Sequence, residues 1–269
     1  MTEISAARAF TALHTAAAPL ALANAWDVAS ARIVEAAGAP AVATTSAGVA
    51  WSIGAPDGDA LGRARAVELV ERVVAAVGVP VSADIEGGFG ASPEEVGETV
   101  AAVVRAGAAG INIEDGARDP AAFAERLAGA RAAATAAGSE LYVNARIDTF
   151  LAGLGEPGAA RLDETLRRAR TYLAAGASGI FVPGVTDLEV VAELARGIDA
   201  PLNVLVGPGD PSVAAFGAVG VARVSLGSSV AAAAYAVAQR ATRELLATGT
   251  YAATAGGVPY GELNGLFAH

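Results

Sequence analysis

Apolar residues in this chain come in short unbroken runs, separated by longer stretches of helical period. Eight runs read as strands: PLALAN (19–24), PAVATTS (40–46), PVSAD (80–84), GINIE (110–114), LYVNAR (141–146), GIFVPG (179–184), PLNVLV (201–206) and VARVS (221–225). Most are nearly continuous in Val, Ile, Leu and Ala, the pattern of parallel strands covered on both faces. The stretches between them carry helix signals. In DVASARIVEAAG, Asp27 is placed to cap a helix that stops at Gly38. SPEEVGETVAAVVRAGA offers Ser92 as N-cap, Pro93 at the first helical position, Glu95 to complete a capping box and Gly107 as the stop. RLDETLRRARTYLAAGA ends at Gly176 in the same way.

A helix end, Gly-Ala and a buried strand recur in EAAGAPAVATTS, VRAGAAGINIED, LAAGASGIFVPG and AFGAVGVARVSLG; the first three start 69 residues apart, at 35, 104 and 173. A repeated helix–Gly–strand unit predicts a closed (β/α)8 TIM-type barrel. The alternative is an open doubly wound sheet, but no dinucleotide glycine fingerprint is present. The predicted layout is one α/β-barrel domain: an added N-terminal helix in 1–17, a core at 18–227, and a helical extension with an irregular tail at 228–269. The tail carries Tyr251, Tyr260, Leu263, Leu266 and Phe267, so it is expected to pack on its own barrel or on a neighbouring subunit.

The absences in the composition narrow the chemistry. There is no cysteine, so disulfides, thiolate metal sites and thiol catalysis are out. All 18 basic residues are arginine, which removes Schiff-base and PLP chemistry. The histidines are His14, in the N-terminal segment, and His269, the last residue, which argues against a Ser–His–Asp triad or a multi-histidine metal site. A net charge of −10 argues against nucleic acid and anionic membranes as partners. No apolar run approaches the roughly 18 residues of a membrane helix, and no signal-peptide layout opens the chain. The expectation is a soluble, cytoplasmic protein. Any catalysis must use carboxylates, arginines, hydroxyls, backbone amides and an oxygen-bound metal.

Barrel chemistry gathers at the C-terminal ends of strands. Those ends supply Asn24, Thr45 and Ser46, then Asp84 and Glu86, Glu114 and Asp115, and Asn144, Arg146 and Asp148, with Asp57 in the loop after the second strand. Several carboxylates in one pocket repel one another, and a divalent cation relieves that repulsion. Oxygen-only donors favour Mg²⁺, with Mn²⁺ as second choice, over zinc. Asp84 is expected to touch the ion directly, and Glu86 and Glu114 mainly through water. The glycines of GGFG would let the backbone turn so that both acids point inward. Asp115 and Asp148 could equally be helix caps. Arg146 is either a structural ion-pair partner of Asp148 or Glu114, or a clamp for a substrate carboxylate or phosphonate. Ser46 and Gly48 could offer a hydroxyl and N–H groups to a carboxylate, with Trp51 covering the pocket.

In this order and on these strands, TTSAGVAWSIGAPDG, SADIEGGFG, GINIEDG and NARIDTF resemble the isocitrate lyase/phosphoenolpyruvate mutase superfamily, over about residues 20 to 230. The resemblance implies an α/β barrel, Mg²⁺, 2-oxo-acid substrates held as an enolate, and homo-oligomers (dimers or tetramers) that exchange a C-terminal helix. It implies Asp84, Glu86 and Glu114 as metal carboxylates, and Ser46, Ala47 and Gly48 as the substrate-carboxylate site. It also places Asp57 beside the reacting centre, Arg146 on the substrate and Asn203 as a further substrate contact. The departures matter too. Isocitrate and methylisocitrate lyases carry a Lys-Lys-Cys-Gly-His loop, whereas ARDPAAFAERL here has no Cys, Lys or His. The 116–122 segment is also short for the gating loop of a phosphoryl-transferring mutase, which must exclude water. The predicted activity is Mg²⁺-dependent C–C cleavage or decarboxylation of an oxaloacetate-like acid. The alternatives are C–P chemistry on a phosphonate and a non-catalytic metabolite-binding barrel.

Overall fold

Nine short parallel strands form one sheet in the computed structural model, which describes residues 5–15 and 17–268. They are β1 (Leu20–Leu22), β2 (Asn24–Ala25), β3 (Val42–Thr44), β4 (Val81–Asp84), β5 (Gly110–Glu114), β6 (Tyr142–Arg146), β7 (Gly179–Val182), β8 (Leu202–Leu205) and β9 (Arg223–Ser225). The order is β1-β9-β8-β7-β6-β5-β4-β3-β2. The first expected strand is therefore two. Its first half pairs with β9, Leu20 opposite Arg223, and its second half with β3, Asn24 opposite Ala43. A short, tilted stave shares only part of its length with each neighbour. Because β1 and β2 are joined through Ala23, the sheet closes through the chain itself into a TIM-type α/β barrel with eight staves.

The helices are α1 (Ala6–Ala12), α2 (Val28–Ala36), α3 (Ser46–Ser52), α4 (Arg63–Ala76), α5 (Pro93–Arg105), α6 (Pro120–Ala136), α7 (Ala159–Ala174), α8 (Leu188–Gly197), α9 (Val213–Ala218), α10 (Ser229–Thr248) and α11 (Tyr260–Gly265). The cap signals read from the residues are present. Asp27 accepts from the Ser30 N–H and Ser92 from the Glu95 N–H. Glu95 departs from the capping box: its carboxylate accepts from the Ala91 N–H, one residue before the cap. Gly38, Gly107 and Gly176 all take positive φ just past their helices.

Seven helices, α2 and α4 to α9, pack side by side around the barrel. The expected N-terminal helix is short, Ala6–Ala12, and residues 1–4 and 16 of the expected segment lie outside the described residues. It delivers a plug to the N-terminal mouth. The His14 ring stacks on Tyr142 at 4.1 Å, and Phe10 meets the same ring edge-on at 5.6 Å. The plug explains glycine at the start of two strands. A Cβ on Gly179 would come within 2.1 Å of the Tyr142 hydroxyl, and one on Gly110 within 2.8 Å of Phe10. Among the described residues, no helix is long and apolar enough to cross a membrane.

Candidate active site

The opposite mouth collects the acids. β4 ends at Asp84 and Ile85 beyond it is buried, while Asp84 and Glu86 line one small cavity with Thr44, Ser46 and Phe89. The turn that follows is tight: Glu86 and Phe89 take φ of 52° and 49°, and Gly88 takes 99°. Asp84 is anchored by its own N–H, which donates to Thr44 Oγ1 at 2.8 Å. Its carboxylate accepts the Glu86 N–H at 3.1 Å. Glu86 is almost fully buried; one oxygen accepts from the Asp59 N–H, and Oε1 has no partner.

On the next two strands, Glu114 and Arg146 are register neighbours, and Arg146 Nη1 lies 2.6 Å from the Glu114 carboxylate. Arg146 also grips Asp148 bidentately, Nε at 2.6 Å and Nη2 at 3.1 Å. Both candidate ion-pair partners of Arg146 are therefore engaged at once. Asp115 and Asp148 cap no helix. Asp115 is wholly buried and accepts from Arg168 (2.7 Å), Tyr172 (2.8 Å) and the Asp148 N–H (2.9 Å). It buttresses the end of β6 from behind, and Asp148 in turn orients Arg146. Asp119, not Asp115, caps α6.

Burial sets the electrostatics. Desolvation pushes the Glu114 carboxyl up to about 8; Arg146 works against this, while Asp84, Asp148 and Asp57 add to it. Glu86 rises to about 7, chiefly through desolvation, with the Asp59 N–H opposing and Asp57 and Asp84 reinforcing. Asp84 also rises through desolvation, held back mainly by Arg146. Three acids on adjacent strands thus resist carrying full charge together.

Ser46 does not end a strand: it opens α3, which runs to Ser52. The Thr45 side chain makes no capping bond, and the first intrahelical donor is the Val49 N–H, to Thr45 O. The N–H groups of Ser46, Ala47 and Gly48 are those that helical pairing leaves over. Gly48 is also a packing glycine: a Cβ would lie 2.8 Å from Thr45 and 2.9 Å from Trp26. Asp57 is exposed in the loop after α3. Asn203 sits deeper in the barrel, with Oδ1 accepting from the Ser225 hydroxyl and Nδ2 unpartnered. Trp51 is not a cover for the acids; it is half exposed and meets Tyr235 of α10 edge-on at 6.3 Å. The expected 116–122 lid shrinks to residues 116–119, because Pro120 already starts α6.

The donor set suits a hard cation: three desolvated carboxylates, one with an orphaned buried oxygen, and no sulfur or imidazole among them. The fit is chemical rather than preassembled. Among the described residues no three acidic or imidazole side chains already converge on a common point, and Arg146 supplies the local positive charge.

A parallel eight-stave barrel with buried carboxylates at the strand ends defines the class of TIM-type barrels whose chemistry sits on that face. Within it, the chain belongs to the phosphoenolpyruvate phosphomutase family, whose model matches residues 10–246, and so to the isocitrate lyase/phosphoenolpyruvate mutase superfamily. It is 40% identical over 223 residues to an uncharacterised protein of Mycobacterium tuberculosis (strain H37Rv), covering 81% of each chain. It is 34% identical over 164 residues to oxaloacetate decarboxylase of Ectopseudomonas mendocina, covering 60% of this chain and 56% of that one. Among solved structures, a Burkholderia cenocepacia J2315 protein named only provisionally as a lyase/mutase aligns with TM-score 0.89 and 39% identity, over 98% of this chain and 95% of that one. Superfamily members are lyases and mutases.

Two residues at this mouth escaped the sequence reading: Asp59, which ties Glu86 to Gly87, and Arg118, which pairs with Asp59. Asp59 had a signal, since PDGD places it two residues from Asp57. Arg118 had none beyond its position after IEDG.

Proposed function

We propose that this protein is a Mg²⁺-dependent lyase that breaks a C–C bond of a small 2-oxo acid, with decarboxylation of oxaloacetate as the leading reaction. The observation that carries this reading is the set of three desolvated carboxylates on adjacent strands, Asp84, Glu86 and Glu114, beside the engaged guanidinium of Arg146. These three would hold Mg²⁺, or Mn²⁺ in its place, which when bound supplies a Lewis acid for the keto oxygen. The chain's own residues do the rest. The Ser46 hydroxyl and the Ala47 and Gly48 N–H groups receive the substrate carboxylate at the start of α3. Arg146, braced by Asp148, offsets the negative charge that accumulates as the C–C bond breaks. Asp57, at the exposed lip, would pass a proton from solvent to the carbon left when CO2 departs, giving pyruvate. Asn203 offers its free Nδ2 from below.

Incubation of the purified protein with oxaloacetate and Mg²⁺ should release pyruvate and CO2. Asp84→Ala should abolish turnover while the circular dichroism spectrum stays that of the wild type. Full turnover in that variant would refute the metal assignment, and no turnover with either protein would favour a binding role. The competing C–P reading predicts phosphate release from phosphonopyruvate; the short 116–119 connection weighs against it, because a reactive phosphoryl group must be shielded from water.

We further infer a homo-oligomer built on α10. A groove of about 600 Å³, lined by Leu22, Ile33, Val206, Val213, Val224 and Val230 among others, lies between α2 and α9, where an eighth outer helix would pack. Only Ala231 of α10 is buried; the helix reaches that groove through Val230 in its first turn, and none of its later residues line it.

A further inference from the structure

The loop after β5 carries a guanidinium that the site described above does not use. Arg118 lies in the 116–119 connection, and a Cβ on Gly87 would come within 2.5 Å of its Nη2. The guanidinium therefore rests on the turn immediately after Glu86. Among the described residues its one side-chain partner is Asp59, 3.3 Å from Nη2. Both members of that pair are about a third exposed, at 33% and 36%. Ion pairs so exposed hold weakly and exchange readily. The neighbouring guanidiniums are committed. Arg146 is bound to Glu114 and Asp148, and Arg126 donates to the carbonyls of Gly87, Gly90 and Ala91 at 2.8 to 3.1 Å.

Building on the oxaloacetate reading, we propose that Arg118 is the residue that holds the second carboxylate of the substrate and so selects 2-oxo dicarboxylates over monocarboxylates. The keto-acid head is met by Arg146 and the leading amides of α3. The far end of the molecule then faces a rim that carries Asp57, Asp59 and Glu86, and a second negative charge there would be repelled. Arg118 removes that obstacle by exchanging Asp59 for the incoming carboxylate. Its planar fork suits a carboxylate bidentately, and a lysine would replace the charge without the fork. The position also compensates for the missing lid: in so short a loop, one long side chain can reach the substrate where a mobile segment cannot.

The test compares two ligands by calorimetry at saturating Mg²⁺. Oxalate presents only the common head, and 3,3-difluorooxaloacetate adds the distal carboxylate. For Arg118→Met, oxalate affinity should match the wild type, while difluorooxaloacetate should bind roughly tenfold or more weakly, the loss expected for a charged bidentate contact. Arg118→Lys should recover part of that loss. Equal weakening of both ligands would make Arg118 a structural strut and overturn the proposal, as would undiminished binding of both. If the wild type fails to bind oxalate at all, the 2-oxo-acid reading itself falls, and the subsite with it; that outcome is separable because it needs no variant.

Discussion

Glu86 and Glu114 show how single residues set the conditions under which the site works. An ordinary glutamate ionises near 4.5; in the folded chain these two sit at about 7 and about 8, because burial removes water that would solvate the charge. The unfolded chain has both ionised once the pH passes about 5, while the folded chain still holds their protons. Between pH 4.5 and 8 the folded state thus binds more protons, so raising the pH costs stability. The loss is complete only above the folded values. A cation that binds the ionised carboxylates reverses this and stabilises most where they are fully charged. Scanning calorimetry without metal should show a melting temperature that falls from about pH 5.5 to about pH 8.5. Adding Mg²⁺ should raise it, more at the upper end of that range than at the lower. A pH-independent Mg²⁺ shift would mean that the ion binds elsewhere.

At the scale of elements, the end of β6 depends on an outer helix, α7. Asp115 receives Arg168 and Tyr172 from α7 and passes its hold to the Asp148 N–H, and Asp148 fixes Arg146. Arg168 is itself braced by Glu164, one turn back on α7, at 2.7 Å. Removing one partner of a buried ion pair leaves the other charge stranded, at a cost of about 3 to 5 kcal/mol. Arg168→Met should therefore destabilise the protein by that order in urea titration. At temperatures where the variant remains folded it should also lower kcat, since Arg146 loses its brace. Unchanged stability would contradict the buttress. The strand ends were readable because carboxylates interrupt an apolar run covered on both faces and so mark where it reaches the barrel mouth; Asp84, Glu86 and Glu114 do lie at one mouth. The buttress was not readable. A carboxylate at a strand end looks the same in sequence whether it points into the mouth or behind it, and Arg168 lies 53 residues from Asp115 along the chain. The break at Ala23 was hidden too, since an apolar hexapeptide does not show which neighbour each half will pair with. Nor did the apolar TTSAGVAWS stretch reveal that α3 begins at Ser46; Thr45 caps it without using its side chain.

At the scale of the whole molecule, seven outer helices cover the barrel and the eighth stands away. The helix–Gly–strand repeat made the closed barrel legible, because each copy needs its neighbours to bury both faces of its strand. It could not show where α10 lies, since the amphipathic pattern of a helix is the same whichever barrel it covers. The structure leaves two apolar surfaces unmatched. One is the groove between α2 and α9; the other is α10 with its tail, where Leu245, Leu246, Tyr251 and Tyr260 are 56%, 81%, 74% and 84% exposed. An unpartnered groove in the position of a barrel helix and an unpartnered helix of the same chain are complementary when two copies exchange them. A closed two-fold pair satisfies both surfaces at once. Light scattering coupled to gel filtration should therefore give a dimer or a multiple of it for the intact chain. Ile33→Asp places a charge in the α2 wall of the groove, and Leu246→Arg places one on the helix. Each should shift the chain toward monomer, and the monomer should melt at a lower temperature because the groove then faces water. If the wild type runs as a monomer at micromolar concentration, or if Leu246→Arg leaves the oligomer intact, then α10 does not cover a second barrel and the groove is simply open.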